Sequence, residues 1–172
     1  MKFIICFLLS FVAFSQQDSI TKQFPEDYLG IYKGKLKIDN PRGQQEIEME
    51  FHLKATDGSN VFKYTLVYVV NGEPSPRNYT LKIIDKAKGE YVVDENNGII
   101  LDAKYVNNSL ISVFEVQGNL LITTERFFDD YMFFEIVFSG KDSKKTTIAT
   151  EDQTEVISYP ITTTQTAKLI KQ

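Results

Sequence analysis

From residue 28 onward, almost every segment of this chain alternates with period two. In Tyr32-Lys33-Gly34-Lys35-Leu36-Lys37-Ile38 the even positions are apolar or small and the odd ones are all lysine. In Glu46-Ile47-Glu48-Met49-Glu50-Phe51-His52-Leu53-Lys54-Ala55 the odd positions are apolar and the even ones are charged or histidine. Successive side chains of a strand point to opposite faces, so this pattern predicts half-buried strands with one face on a core. No segment of comparable length carries the 3.6-residue period of a helix. The chain is therefore expected to be all-β.

The turns are equally legible. Asn40-Pro41-Arg42-Gly43 separates the first two strands, and proline followed by glycine suits a tight reversal. Antiparallel pairing through it sets Lys33, Lys35 and Lys37 against Glu50, Glu48 and Glu46, within one residue. A lysine row then faces a glutamate row on the solvent side, which reads as a solvated face rather than a binding patch. Further strands follow over 61–70, from Tyr79, from Tyr91, over 99–105, over 110–116, over 120–127 and over 131–139, separated by turn residues such as Asn107-Asn108 and Gln117-Gly118-Asn119. Alternation assigns Leu120, Ile122, Thr124 and Arg126 to the apolar face of their strand.

The stretch Arg126-Phe127-Phe128-Asp129-Asp130-Tyr131 poses a choice between paired catalytic carboxylates and a hairpin tip. Acid/base work needs two carboxyls in different environments, one of them desolvated. Adjacent aspartates between two strands are both in water and favour turns, so a hairpin tip is expected. The next strand is apolar on both faces, which suggests cover on both sides. The tail, 141–172, is threonine-rich, with β-branched stretches at 155–161 and 162–170 broken at Pro160. It is expected to hold one or two closing strands.

Roughly eight to ten antiparallel strands in an up-and-down meander leave two open edges unless the sheet closes. A closed barrel is the expected architecture and an open two-sheet sandwich the alternative. The N-terminus, MKFIICFLLSFVAFSQQ, has a basic Lys2, a short apolar run and small residues at Ala13 and Ser15 before Gln16. That is the form of a cleaved secretory signal, too short to span a bilayer. The expected organisation is a signal peptide over 1–15, a lead-in over 16–27, a barrel core over 28–140 and the tail over 141–172. Asp18-Ser19-Ile20 has the short form of an O-glycosylation acceptor. The protein is then periplasmic or extracellular, and not an integral membrane protein after cleavage. Cys6, the only cysteine, lies inside the signal, so the mature chain folds without disulfides.

Nineteen basic against 23 acidic side chains, with no basic cluster, argue against nucleic acid as a partner. The single histidine, His52, sits on the charged face of its strand and cannot build a triad or a transition-metal site alone. Asp94-Glu95-Asn96-Asn97-Gly98 lacks the ligand spacing of a calcium loop and reads as a turn. No glycine-rich phosphate loop or nucleophile motif occurs. No catalytic residue, metal site or cofactor is assigned.

Tyr28-Leu29-Gly30-Ile31-Tyr32-Lys33-Gly34 resembles the G-x-W opening of lipocalins and of the related fatty-acid-binding and nitrobindin-like barrels. Tyr32 stands where those families have tryptophan, and the chain has no tryptophan. The resemblance implies an aromatic plug at one end of the barrel, led in by Phe24-Pro25-Glu26-Asp27-Tyr28. It also implies a small hydrophobic or amphipathic ligand in the mouth. The ligand-lining residues would be Tyr32, Phe51, Phe62, Tyr64, Tyr68, Phe114, Arg126 and Phe134, with Arg126 over the plug or toward a ligand carboxylate. The competing reading is a cell-envelope interaction module that contacts a partner protein through an apolar strand surface.

Overall fold

The structure is a computed structural model that describes residues 22–172. The expected signal peptide, the acceptor at Ser19 and the first part of the lead-in lie outside the described residues. Ten strands close into one antiparallel barrel: β1 (Gly30–Asn40), β2 (Gly43–Ala55), β3 (Val61–Val70), β4 (Glu73–Asp85), β5 (Glu90–Asp94), β6 (Ile100–Val106), β7 (Ser109–Val116), β8 (Asn119–Phe127), β9 (Tyr131–Gly140) and β12 (Ile161–Lys171). Between β9 and β12 the short strands β10 (Lys145–Ile148) and β11 (Glu155–Ser158) form a separate hairpin, exposed along both strands. Closure rules out the open sandwich.

Turn chemistry drives the meander. Asn71-Gly72, Asn107-Asn108 and Gln117-Gly118 each have positive φ at both central positions. Two such residues make the type I′ turn whose twist matches that of paired strands. The β1–β2 register sets Lys33 opposite Glu50, Lys35 opposite Glu48 and Lys37 opposite Glu46, as the charge rows predict. Lys33 is ion-paired with Glu50 at 2.6 Å, and Lys35 with Glu46 at 2.9 Å. Asp129 and Asp130 form the exposed β8–β9 tip, with Asp129 bound to Lys22.

Closure depends on the tail. β12 pairs with β1 on one side and β9 on the other, and turns Ala167 and Leu169 into the core. Threonine suits this strand because its β-branch fits the pleat. Gly34 lets the two backbones approach: a Cβ there would lie 2.3 Å from the Lys168 carbonyl oxygen. The tail thus covers β9 along its edge, not over its second face. Phe133, on that outer face, is 45% exposed and packs against Phe128 and Tyr131.

One end of the barrel is sealed by aromatics. Phe24, Tyr28, Tyr32, Phe51, Tyr91 and Phe127 are buried there. Phe24 stacks on Tyr105 at 4.2 Å and meets Tyr91 edge-on at 5.3 Å. The turn Glu26–Tyr28 is held across this end: Tyr32 Oη donates to the Tyr28 carbonyl at 2.7 Å, and Tyr91 Oη to the Phe24 carbonyl at 3.1 Å. Tyr105 Oη is buried without a well-formed hydrogen bond.

Candidate functional site

The opposite end is not sealed. Tyr68, Tyr79, Leu101, Phe114 and Ile136, in the strand halves far from the plug, surround a cavity of about 120 Å³. Tyr64, Leu66, Val93, Ser112, Thr123, Glu125 and Phe134 complete its wall, and Glu95 stands beside it in the β5–β6 turn. Ligand pockets that envelop drug-sized molecules run to roughly 300–1,000 Å³. This one takes a single ring, or the head of a longer molecule.

Glu125 is the chemically distinctive group. It lies on β8 with 3% exposure, and Tyr64 Oη on β3 donates to its Oε1 at 2.9 Å. Burial pushes the Glu125 carboxyl up to about 7, against the opposing pull of that hydrogen bond. The tyrosines move in the same direction. Burial, reinforced by the neighbouring carboxyl, pushes the Tyr64 hydroxyl well above its ordinary range. Tyr68 is pushed up to about 12 by burial and the nearby Tyr79. Tyr79 is also raised by burial, and its ring lies 6.0 Å from that of Tyr64 at 29°. At pH 7 all three are neutral hydrogen-bond donors.

Of the residues expected to line a ligand, Tyr64, Tyr68, Phe114 and Phe134 belong to the wall of this cavity. Tyr32 and Phe51 are fully buried in the plug, and Phe62 is buried in the core outside the cavity wall. Arg126 is a correction. It is exposed on the outer wall, where its Nε donates to Ser109 Oγ at 3.1 Å. The phase of β8 is the reverse of the expected one: Leu121, Thr123, Glu125 and Phe127 face inward. Both phases of Leu120-Leu121-Ile122-Thr123-Thr124 are apolar or neutral, so alternation could not choose between them. A one-residue slip exchanges every side chain between faces. The turn held the missing information. A two-residue loop at Gln117-Gly118 pairs Val116 with Asn119 and Phe114 with Leu121. Once Phe114 is inward, Glu125 must be inward too.

Other polar candidates are engaged elsewhere. His52 Nε2 lies 2.7 Å from Glu50 Oε2 on the outer wall. Asp94 accepts from Lys82 Nζ at 2.7 Å and from the Asn96 amide at 2.8 Å. Among the described residues no group of three His, Cys, Asp or Glu side chains is arranged to hold a metal ion.

No protein-family model matches the sequence, and no curated protein does. Among solved structures, the chain is similar to the S-type phycobiliprotein lyase CPES from Guillardia theta. The TM-score is 0.58 at 8% identity, over 86% of this chain and 89% of that one. At that identity the likeness is one of fold alone, a closed antiparallel barrel.

Proposed function

We propose that this protein is an exported, non-catalytic barrel of the lipocalin-like kind that binds a small hydrophobic or amphipathic molecule in its mouth. The observation that carries this reading is the cavity itself: apolar and aromatic side chains surround a few convergent polar groups at the one unsealed end. The fold it shares with a phycobiliprotein lyase is compatible with this use. Among the described residues the interior holds one buried carboxyl, Glu125, with tyrosine hydroxyls around it, an arrangement that binding explains with fewer parts than chemistry does. Native mass spectrometry of the protein from its own envelope fraction, followed by titration with an anilinonaphthalene probe, tests the reading. A stoichiometric adduct lost on denaturation, or saturable probe binding that Leu101→Trp removes by filling the mouth, supports it. A bare chain that binds no probe overturns it.

A second reading, contact with an envelope protein, draws on the outer wall. Val113 pairs with Ile122 and Ile122 with Val137, forming an apolar row across β7, β8 and β9. Val113 is 60% exposed and Ile122 39%. Cross-linking from Val113→Cys in the native envelope tests it, and recovery of the uncross-linked monomer alone would remove it.

A further inference from the structure

The cavity has a charge character of its own. Its wall contains no lysine, arginine or histidine. Its ionisable groups are the Glu125 and Glu95 carboxyls and the hydroxyls of Tyr64, Tyr68 and Tyr79. Arg77, on β4 opposite Leu66, is a cation felt by Tyr68 and Tyr79, and it is exposed at the rim. β7 and β9 face Glu125 with Leu110, Ser112, Phe134 and Ile136, none of which titrates. An anionic ligand, such as a fatty acid, would enter a chamber whose wall carries two carboxyls and no cation, with Arg77 left at the solvent-exposed rim.

A cation would meet the reverse. Five aromatic rings, those of Tyr64, Tyr68, Tyr79, Phe114 and Phe134, belong to the wall. Ring faces attract ammonium groups, more strongly where water is excluded. The buried carboxyl has one side-chain donor, Tyr64, whereas a buried charge needs full pairing to be tolerated. The volume is near that of the roughly 150 Å³ apolar cavity that takes up benzene.

We propose that the mouth selects a small organic cation, an amine of about one ring in size, whose nitrogen sits against Glu125 within the aromatic wall. This rests on the mouth being a binding site and names the class of molecule it takes. Binding of the ammonium form requires Glu125 ionised. Its carboxyl is held near neutrality in the empty protein, so each bound amine displaces a proton at acid pH. Affinity then rises as pH increases toward 7 and levels above it. Between pH 5 and pH 8 the gain is about 100-fold, since one proton is coupled over about two pH units.

The test is calorimetric titration of the full mature chain with benzylamine, benzyl alcohol and phenylacetate at pH 5 and pH 8. The expected result is preference for benzylamine at pH 8, loss of that preference at pH 5, and an amine-to-alcohol affinity ratio lowered at least about tenfold in Glu125→Gln. Tyr64→Phe keeps the carboxyl but removes the bond that lowers its pKa, so it should move the onset of the amine preference to higher pH, and a folding defect in Glu125→Gln does not decide the matter. Equal or tighter binding of phenylacetate or the alcohol, or an amine preference unaffected by Glu125→Gln, overturns the amine inference and leaves the mouth as a binding site. If none of the three ligands binds and the fluorescent probe also fails, the binding reading and the inference fall together.

Discussion

Tyr64 on β3 donates its hydroxyl hydrogen to Glu125 on β8 at 2.9 Å, across the interior of the barrel. The bond joins residues 61 apart in sequence and holds a carboxyl in a chamber walled mostly by aromatic and aliphatic side chains. Its energetics can be read through pH. The Glu125 carboxyl goes from an ordinary value of 4.5 in the unfolded chain to about 7 in the folded one. A raised carboxyl favours the folded state where it is protonated. That contribution is complete below about pH 4.5, declines from there, and is lost above about pH 7. The loss amounts to about 3 kcal/mol. Urea unfolding of the wild type and Glu125→Gln at pH 4.5, 6 and 8 should therefore show the variant gaining relative stability as pH rises. A difference that stays flat with pH would falsify the buried-carboxyl account.

Tyr64→Phe removes the donor and leaves its ring. The Glu125 carboxyl then loses the hydrogen bond that lowers its pKa, and should titrate above the wild-type value. The cost in stability should be about 1–3 kcal/mol at pH 8, where the unpaired group is charged. Carboxyl carbon NMR of Glu125 follows the titration, and denaturant melts follow the cost. A midpoint unchanged from the wild type would show that the bond does not form in solution.

Gly34→Val tests closure. The added Cβ meets backbone, the Lys168 carbonyl oxygen at 2.3 Å, which cannot rotate away. The variant should lose about 1–3 kcal/mol. Amide exchange should speed up first along Ala167–Lys171 and Gly34–Lys37, the facing segments of β12 and β1. Uniform loss of protection across all strands, with no excess at this seam, would count against it.

The phase of β8 has its own contrast. Phe127→Ala empties a fully buried position that meets Phe24, Tyr28, Tyr32 and Phe51, and should cost about 3–5 kcal/mol. Arg126→Ala, one residue earlier on the outer wall, should cost within about 0.5 kcal/mol and leave probe binding in the mouth unchanged. Comparable effects from the two would contradict the register.

Replacing 141–160 with Asn-Gly should leave the barrel folded. Ser139 already pairs with Ile161 at the base of the excursion, and both strands of the β10–β11 hairpin are exposed. A melting temperature within a few degrees of the parent is expected, for lack of buried surface in the segment. A collapse of stability would mean that the hairpin packs on the barrel after all.

Much of this architecture is legible in one dimension. Strand identity follows from period-two alternation, because a pleated strand must present its side chains to two faces in turn. The β1–β2 register follows from the Lys33/Lys35/Lys37 and Glu46/Glu48/Glu50 rows and the Pro41-Gly43 turn between them. The tip at Asp129-Asp130 follows from the need to reverse the chain where only polar residues intervene. Alternation puts Tyr64 and Tyr68 on one face of their strand; that Tyr64, Tyr68, Phe114 and Phe134 turn inward is what the resemblance to lipocalin-like barrels implies.

The site's central group was decided elsewhere. On β8 the alternation of Leu120 through Thr124 is degenerate, and each phase carries one charge, Arg126 or Glu125. Local pattern has no energy difference with which to separate them. The three-dimensional fold supplies one: only the phase with Phe127 inward completes the aromatic plug. The Gln117-Gly118 turn, paired strand to strand, forces the same choice. The price is a carboxyl in the interior, tolerated because Tyr64 from a distant strand meets it. Likewise the threonine tail carries strand propensity but no partner of its own. It becomes the tenth stave because two open edges, those of β1 and β9, lie one strand-width apart, and Gly34 leaves room for the seam.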